Sequence, residues 1–228
     1  MDILSSIKTE SIDLICTDPP YLCKPKGQSN KMGGYWKYAT DGKIFENNNI
    51  KCKTYLPEFY RVLKNGTHCY IMTNNYNLIE MLNEAEKVGF KFVKSIIWNK
   101  GNMICSRFYM NCYEHILMFR KGSGRNINNC STPDILTVPI NKLKDKNNRN
   151  LHDTEKPVEL MKILIENSSN EHEVILEPFA GIGSTLIASQ LLNRKCIGCE
   201  IDTKYCENIV ARIDKKVNFQ KTNQEFIF

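Results

Sequence analysis

The stretch CTDPPYLCKPKG, residues 16–27, follows the apolar run SIDLICT and carries Asp18, Pro19, Pro20 and Tyr21 in direct succession. Two adjacent prolines lack backbone N–H donors and have restricted torsions, so they lead the chain stiffly out of a sheet. A stiff backbone holding one carboxylate and one aromatic ring suits a flat, polar ligand. The same residues would also serve simply to end a strand.

A second stretch, EVILEPFAGIGSTLIA at residues 173–188, runs from a strand pattern through Gly181 and Gly183 into a helix pattern. Glycines at such a junction let a ligand approach the backbone and aim helix N-terminal amides at it. The ligand of such a turn usually contains a nucleoside, and Glu200, at the end of the next strand, could accept hydrogen bonds from ribose hydroxyls. NAD and S-adenosylmethionine both fit these residues, although Leu186 stands where the dinucleotide fingerprint has its third glycine.

These two stretches must be positioned by the elements around them. Strand patterns occupy 11–17, 67–74, 90–100 and 113–122, then 173–179 and 195–201. Between them, YLPEFYRVLKNG predicts a helix closed by Gly66, and a second helix runs from Leu78 to a stop at Gly89. Residues 122–152 show little periodicity. In HDTEKPVELMKILIENS, Thr154 fits an N-cap and Pro157 the first turn. Helices also follow Gly183 and Ile201. Alternating strands and helices predict an open α/β sheet covered on both faces.

Composition narrows the classes further. A chain of 228 residues suits a single domain with a full core. The absence of a long apolar run predicts a cytoplasmic chain that does not enter the membrane. Of ten cysteines, Cys16, Cys69 and Cys196 lie in strand patterns as small hydrophobes, and Cys196-Cys199 has no second ligand pair, so neither disulfides nor metal are expected. His68, His115 and Trp98 read as packing residues and His172 as surface. The net charge is +6, with a local +5 in residues 22–54 and +3 in residues 122–152. Concentrated base in two loop-like stretches suits a phosphate-bearing partner.

Asp18-Pro19-Pro20-Tyr21, followed far downstream by EPFAGIGST, resembles the S-adenosylmethionine-dependent DNA amino-methyltransferases that act on adenine N6 or cytosine N4. The tetrad precedes the glycines, as in the permuted β group, and SIIWNK, YEHILMFRKG, HDTEKPVEL and IGCEID stand in that group's order. The resemblance implies one Rossmann-like methyltransferase domain over residues 1–228, with a mostly parallel seven-stranded sheet. It places Asp18, Pro19, Pro20 and Tyr21 in the target-base pocket. It lines the S-adenosyl-L-methionine site with Asp2, Asp18, Thr154, Lys156, Glu177, Pro178, Phe179, Ala180, Gly181, Gly183, Ser184, Thr185, Glu200 and Ile201.

Residues 22–54 become a loop contacting double-stranded DNA through Lys24, Lys26, Lys31, Tyr35, Trp36 and Lys37. Residues 122–152 become a short target-recognition segment with Arg125, Lys142, Lys144 and Arg149. The shortness of that segment raises a homodimer or a partner subunit, and the family raises an accompanying restriction enzyme. The group usually has a strand before the aspartate that matches Asp2; NQEFIF at the C-terminus is the expected substitute. Aspartate at the head of the tetrad favours adenine N6 over cytosine N4, an RNA adenine is a further alternative, and a nicotinamide-dependent oxidoreductase is a distant one.

Overall fold

The computed structural model describes residues 2–21, 50–104, 109–140 and 155–217. Thirteen elements follow one another: α1 (Asp2–Ser6), β1 (Ile12–Thr17), α2 (Cys52–Val62), β2 (Leu63–Thr73), α3 (Leu78–Lys87), β3 (Lys91–Ile104), β4 (Asn111–Arg120), β5 (Ile135–Thr137), α4 (Val158–Ser168), β6 (Val174–Glu177), α5 (Ser184–Leu191), β7 (Lys195–Gly198) and α6 (Thr203–Val217). Seven strands form one sheet in the order β5-β3-β4-β2-β1-β6-β7. β4 is antiparallel to both β2 and β3, and the other pairings are parallel. The mostly parallel seven-stranded α/β sheet is therefore as expected from the sequence.

Alternation along the strands builds two cores from one sheet. On one face, Ile15, Cys69, Ile71, Leu117, Phe119 and Leu176 meet Tyr55, Leu56 and Phe59 of α2 and Met81 and Ala85 of α3. On the other, Leu14, Cys16, Tyr70, Met72, Ile116 and Met118 meet Leu160, Met161, Leu164 and Ile165 of α4. β1 is buried along its whole length because it lies under both layers. That is why SIDLICT reads as a continuous apolar run rather than an alternating one.

Several local expectations are corrected. The helix ending expected at Gly66 falls at Val62 instead, and Leu63 already begins β2. The register between β1 and β2 shifts there, and Gly66 takes φ +83° within the irregularity, its amide donating to the Lys121 carbonyl. Pro157 is the cap residue of α4 rather than part of its first turn. Residues 122–140 are not a loose segment. Ile135–Thr137 pair with β3 at the edge of the sheet. Arg125 donates to both carboxylate oxygens of Glu173 and to the Ser168 carbonyl, and Asn128 donates to the Glu166 and Ser169 carbonyls. β5 is the seventh strand; NQEFIF, the expected substitute for a strand before Asp2, lies outside the described residues.

Packing residues behave as their patterns suggested. Trp98 is buried and donates Nε1–H to the Val138 carbonyl. His68 Nδ1 lies 2.9 Å from Ser168 Oγ, and His115 bridges Ser95 and Asn75. His172 is exposed. Burial lowers the pKa of His68 and of His115, so both are held neutral at physiological pH.

One buried cation ties the first third of the fold together. Lys121, just beyond β4, donates to the carbonyls of Tyr60 and Leu63, pairs with Glu10 at 3.0 Å and lies over the Tyr60 ring. Those carbonyls flank the break between α2 and β2, where no helical partner exists for them. Replacing Lys121 by Met should strip both of a donor and lower the unfolding free energy by about 2–4 kcal/mol. Urea denaturation of Lys121→Met would check this, and an unchanged midpoint would show that water takes the lysine's place.

Candidate active site

Ligands of open α/β sheets bind beyond the carboxyl ends of the strands, where the crossovers leave in opposite directions. Here that point lies between β1 and β6, because β1 leads to β2 on one side and β6 leads to β7 on the other. Asp18 leaves β1 at this point, and Glu177 ends β6 beside it. The two stretches singled out in the sequence, about 160 residues apart, thus meet at one crevice.

Asp18 is held from across the chain. Lys156, in the extended segment before α4, donates to Asp18 Oδ2. The side chain of Lys156 is 9% exposed and that of Asp18 20%. Burial raises the Asp18 pKa, and the Lys156 ammonium works against that rise by stabilising the carboxylate. The other carboxylate oxygen, Asp18 Oδ1, is buried and has no hydrogen-bond partner. Pro19 is buried, whereas Pro20 and Tyr21 are half-buried.

A second acid sits within reach of the same lysine. Glu114, at the start of β4, places Oε1 2.5 Å from Lys100 Nζ on β3 and Oε2 3.6 Å from Lys156 Nζ. Sequence reading missed Glu114 and Lys100. The only signal was a charged residue at the head of the apolar run YEHILMF; the facing lysine came from a separate strand. Trp98 and Glu114 are partners across the β3–β4 ladder.

Glu177 is a different kind of carboxyl. It is 3% exposed and receives Thr17 Oγ1 at 2.5 Å, Thr185 Oγ1 at 2.8 Å and the Phe179 amide at 3.1 Å. Burial still outweighs these hydrogen bonds and, with the Asp18 charge nearby, pushes its pKa up to about 8. Its partners lie in β1, α5 and its own turn, so it clamps the crevice walls together. Thr185, expected at the cofactor, spends its hydroxyl on this clamp.

The glycine turn is shaped by its backbone. Gly181 and Gly183 have φ of +55° and +83°, conformations that L side chains rarely adopt. A Cβ on Gly183 would also press on Ile209 of α6 at 3.1 Å. Four amides of the turn are bonded within the protein. The Phe179 amide goes to Glu177, Ala180 to the Cys199 carbonyl, Gly181 to Glu200 Oε2 at 2.7 Å and Gly183 to the Ala180 carbonyl. These four amides are therefore not open to a ligand.

Glu200 accepts three amides in all, the others coming from Ile201 and Asp202 at its Oε1. A carboxylate has about four lone-pair positions, so roughly one acceptor position remains for a hydroxyl. Ile201 beside it is 80% exposed, a bare apolar side chain at the rim. Phe179 packs edge-on against Tyr55, with ring centroids 5.4 Å apart, while Pro178, Ala180 and Ser184 are buried in the turn. A nucleoside without phosphate fits this cradle: glycines for close approach, one fixed carboxylate and an apolar rim.

Other expected site residues lie elsewhere. Asp2 opens α1, but its side chain is outside the described residues, as are Thr154, Lys24, Lys26, Lys31, Tyr35, Trp36, Lys37, Lys142, Lys144 and Arg149. Arg125 is described and is corrected: its guanidinium is fixed on Glu173 and Ser168, far in role from a free phosphate contact. Among the described residues no helix is long and apolar enough to cross a membrane.

The family described as DNA methylase, the N6/N4 methyltransferases, matches residues 12–211. The type II methyltransferase M.HpaI of Haemophilus parainfluenzae is 31% identical over 94% of this chain and 72% of its own length. Among solved structures, the M1.HpyAVI complex with S-adenosylmethionine has a TM-score of 0.67 at 22% identity, covering 92% of this chain and 94% of that one. The cytosine-N4-specific PvuII DNA methyltransferase has a TM-score of 0.69 at 15% identity, covering 95% and 86%. The crevice thus defines a class, the S-adenosylmethionine-dependent amino-methyltransferases. Within it, this chain belongs to the DNA N6/N4 methylase family.

The Glu177 clamp has a pH signature. Unfolded glutamate ionises near 4.5 and the folded side chain near 8, so within that window the folded state keeps a proton that the unfolded state has lost. The associated stability is whole below about 4.5 and drains away as pH rises through 8. Glu177→Gln mimics the protonated form, so its Tm should fall less than the wild type's between pH 5 and 8. Thermal melts across that range test it, and parallel profiles would mean that Glu177 is ionised throughout.

Proposed function

We propose that this chain methylates the exocyclic N6 of adenine in duplex DNA at a short specific sequence, with S-adenosylmethionine as the donor. The observation that carries the reading is Asp18 Oδ1, a buried acceptor without a partner at the head of a rigid Pro19-Pro20-Tyr21 segment beside the nucleoside cradle. Buried acceptors are nearly always satisfied, so an unsatisfied one in a crevice marks the place of a ligand's donor. An amino group supplies that donor.

The exocyclic nitrogen of adenine is a weak nucleophile because its lone pair is delocalised into the ring. Asp18 Oδ1 and the Pro19 carbonyl accept its two hydrogens, which favours a pyramidal nitrogen and returns the lone pair to it. The prolines hold both acceptors in place before the base arrives, so little reorganisation is needed. When bound, S-adenosylmethionine supplies a methyl group already activated by its sulfonium. Positive charge grows on nitrogen as its bond to the methyl carbon forms, and the Asp18 carboxylate stabilises it and is the nearest base for the departing proton. Glu200 would take one ribose hydroxyl, and Ile201 would cover the adenine of the donor.

The target nitrogen lies inside the duplex, so the base must be flipped out at a cost of a few kcal/mol. Stacking on Tyr21 would return about 1–3 kcal/mol of this. The lysine-rich residues 22–54 and the basic part of 122–152 are assigned to the DNA phosphates, without Arg125. Aspartate rather than serine at the head of the tetrad favours adenine over cytosine. Leu186 in place of the third glycine of the dinucleotide fingerprint weighs against an oxidoreductase. The relatives' type II names support a place beside a restriction enzyme, and the short recognition segment suits a homodimer or a partner subunit.

Incubation with unmethylated genomic DNA and labelled S-adenosylmethionine, followed by nucleoside mass spectrometry, should place the label on adenine N6 within one sequence. Label on cytosine N4 would keep the mechanism and change the base, whereas label on RNA alone would remove DNA from the reading. Asp18→Ala should lose at least about 100-fold in turnover while its calorimetric affinity for the donor stays near wild type. Normal methylation by that variant would exclude the proposed role of Asp18.

A further inference from the structure

The site contains two buried oxygens without a hydrogen-bond partner, Asp18 Oδ1 and Glu114 Oε2. The amino group accounts for the first and leaves the second unexplained. Glu114 Oε1 is taken by Lys100, while Oε2 stands 3.6 Å from Lys156 Nζ, just beyond hydrogen-bond reach. The same ammonium is bonded to Asp18 Oδ2. Lys156 therefore has two carboxylates around it and leans on one.

We infer that Glu114 is a positioning residue for methyl transfer: it is the second seat of Lys156, receiving the ammonium as positive charge gathers on the amino group held by Asp18. This rests on the amino-methylation reading above. With Lys156 on Asp18, the developing cation and the ammonium would share one carboxylate. A shift of about an ångström brings Lys156 to ordinary hydrogen-bond distance from Glu114 Oε2. Asp18 is then left whole for the new cation, and the cluster's own charge does not change.

Lys100 is the counterweight. It fixes Glu114 through Oε1 and offsets part of its charge, so that Lys156 rests on Asp18 until the substrate's charge develops. The four side chains are 9–20% exposed, so bulk water is poorly placed to do the same work. Two carboxylates and two ammoniums alternate along the chain of contacts, which lets a charge arriving at one end be met by a short movement in the middle.

The test uses the full chain, saturating donor and the DNA substrate found above. The charged and titratable groups facing Asp18 are Lys156 before α4, Glu114 on β4, Lys100 on β3, Glu177 on β6 and Tyr55 on α2. Glu114→Gln keeps the shape and removes the charge. It should hold donor affinity and the KM for DNA within about twofold while kcat falls roughly tenfold or more. The acid limb of its kcat–pH profile should move to lower pH, because a negative neighbour no longer opposes ionisation of Asp18. Lys100→Met should move that limb the other way, since a positive neighbour that favours ionisation is gone.

Opposite displacements show that both groups act on Asp18 through their charge, and together with the loss of kcat at unchanged donor affinity and KM they support the relay, because general loss of packing would not produce that combination. Wild-type kcat in Glu114→Gln, a stationary acid limb, or displacement of both limbs in one direction would overturn it. If the wild-type enzyme itself transfers no methyl to DNA, the functional reading fails and this inference falls with it. If the wild type is active and Glu114→Gln matches it, only the inference fails.

Discussion

The contact between Lys156 and Asp18 is the interaction on which the crevice depends. It spans 138 residues and joins the exit of β1 to the entry of α4, two elements that also meet through the core. A carboxylate that must act as an acceptor within a mostly buried site loses its charge unless a cation accompanies it. The cation must also be oriented, and here the backbone continues directly into a second tie: Glu155, beside Lys156, pairs with Arg212 of α6. Arg212 in turn donates to the Ile182 carbonyl in the glycine turn. The segment before α4 thus couples Asp18 to the glycine turn through two neighbouring side chains of opposite charge.

Three acids at one end of the sheet divide their work by environment. Glu177 is enclosed, supplied with hydroxyl and amide partners and pushed toward neutrality, which suits a fastener between β1, β6 and α5. Asp18 is partly open and accompanied by a lysine, which suits a carboxylate that meets a substrate. Glu200 lies at the rim, fixed by three amides with little capacity left over, which suits a single directed hydrogen bond. The same functional group is thereby fitted to different tasks, according to how much water and how many donors surround it.

The two-sided core explains why the crevice is placed where it is. β1 and β6 are buried centrally between helical layers, and their carboxyl ends emerge beside each other because their crossovers depart in opposite directions. β4 runs against its neighbours, so the beginning of that strand, not its end, reaches the same rim. Glu114 consequently arrives at the site from the head of its strand, while Lys100 arrives from the far part of β3. An all-parallel sheet would have placed that glutamate at the opposite end.

Much of this was legible from residue order alone. Strand and helix periodicity gave six of the seven strands and the principal helices, because burial on one or two faces leaves its period in the sequence. DPPY and AGIG were visible because proline and glycine have few roles that other residues can fill. Tertiary structure decided what periodicity cannot encode. β5 has three residues, too few to show a period, and exists because β3 offers it an edge. Arg125 looked like a phosphate ligand until Glu173, 48 residues away, was found beside it. Two amides of the glycine turn, those of Ala180 and Gly181, met partners from the exit of β7, and the Asp18, Lys156, Glu114 and Lys100 cluster was assembled from four separate segments. Local sequence determines which backbone shapes are affordable; which charges share a buried space is settled only when the strands are ordered in the sheet, because electrostatic energy depends on distance in space rather than along the chain.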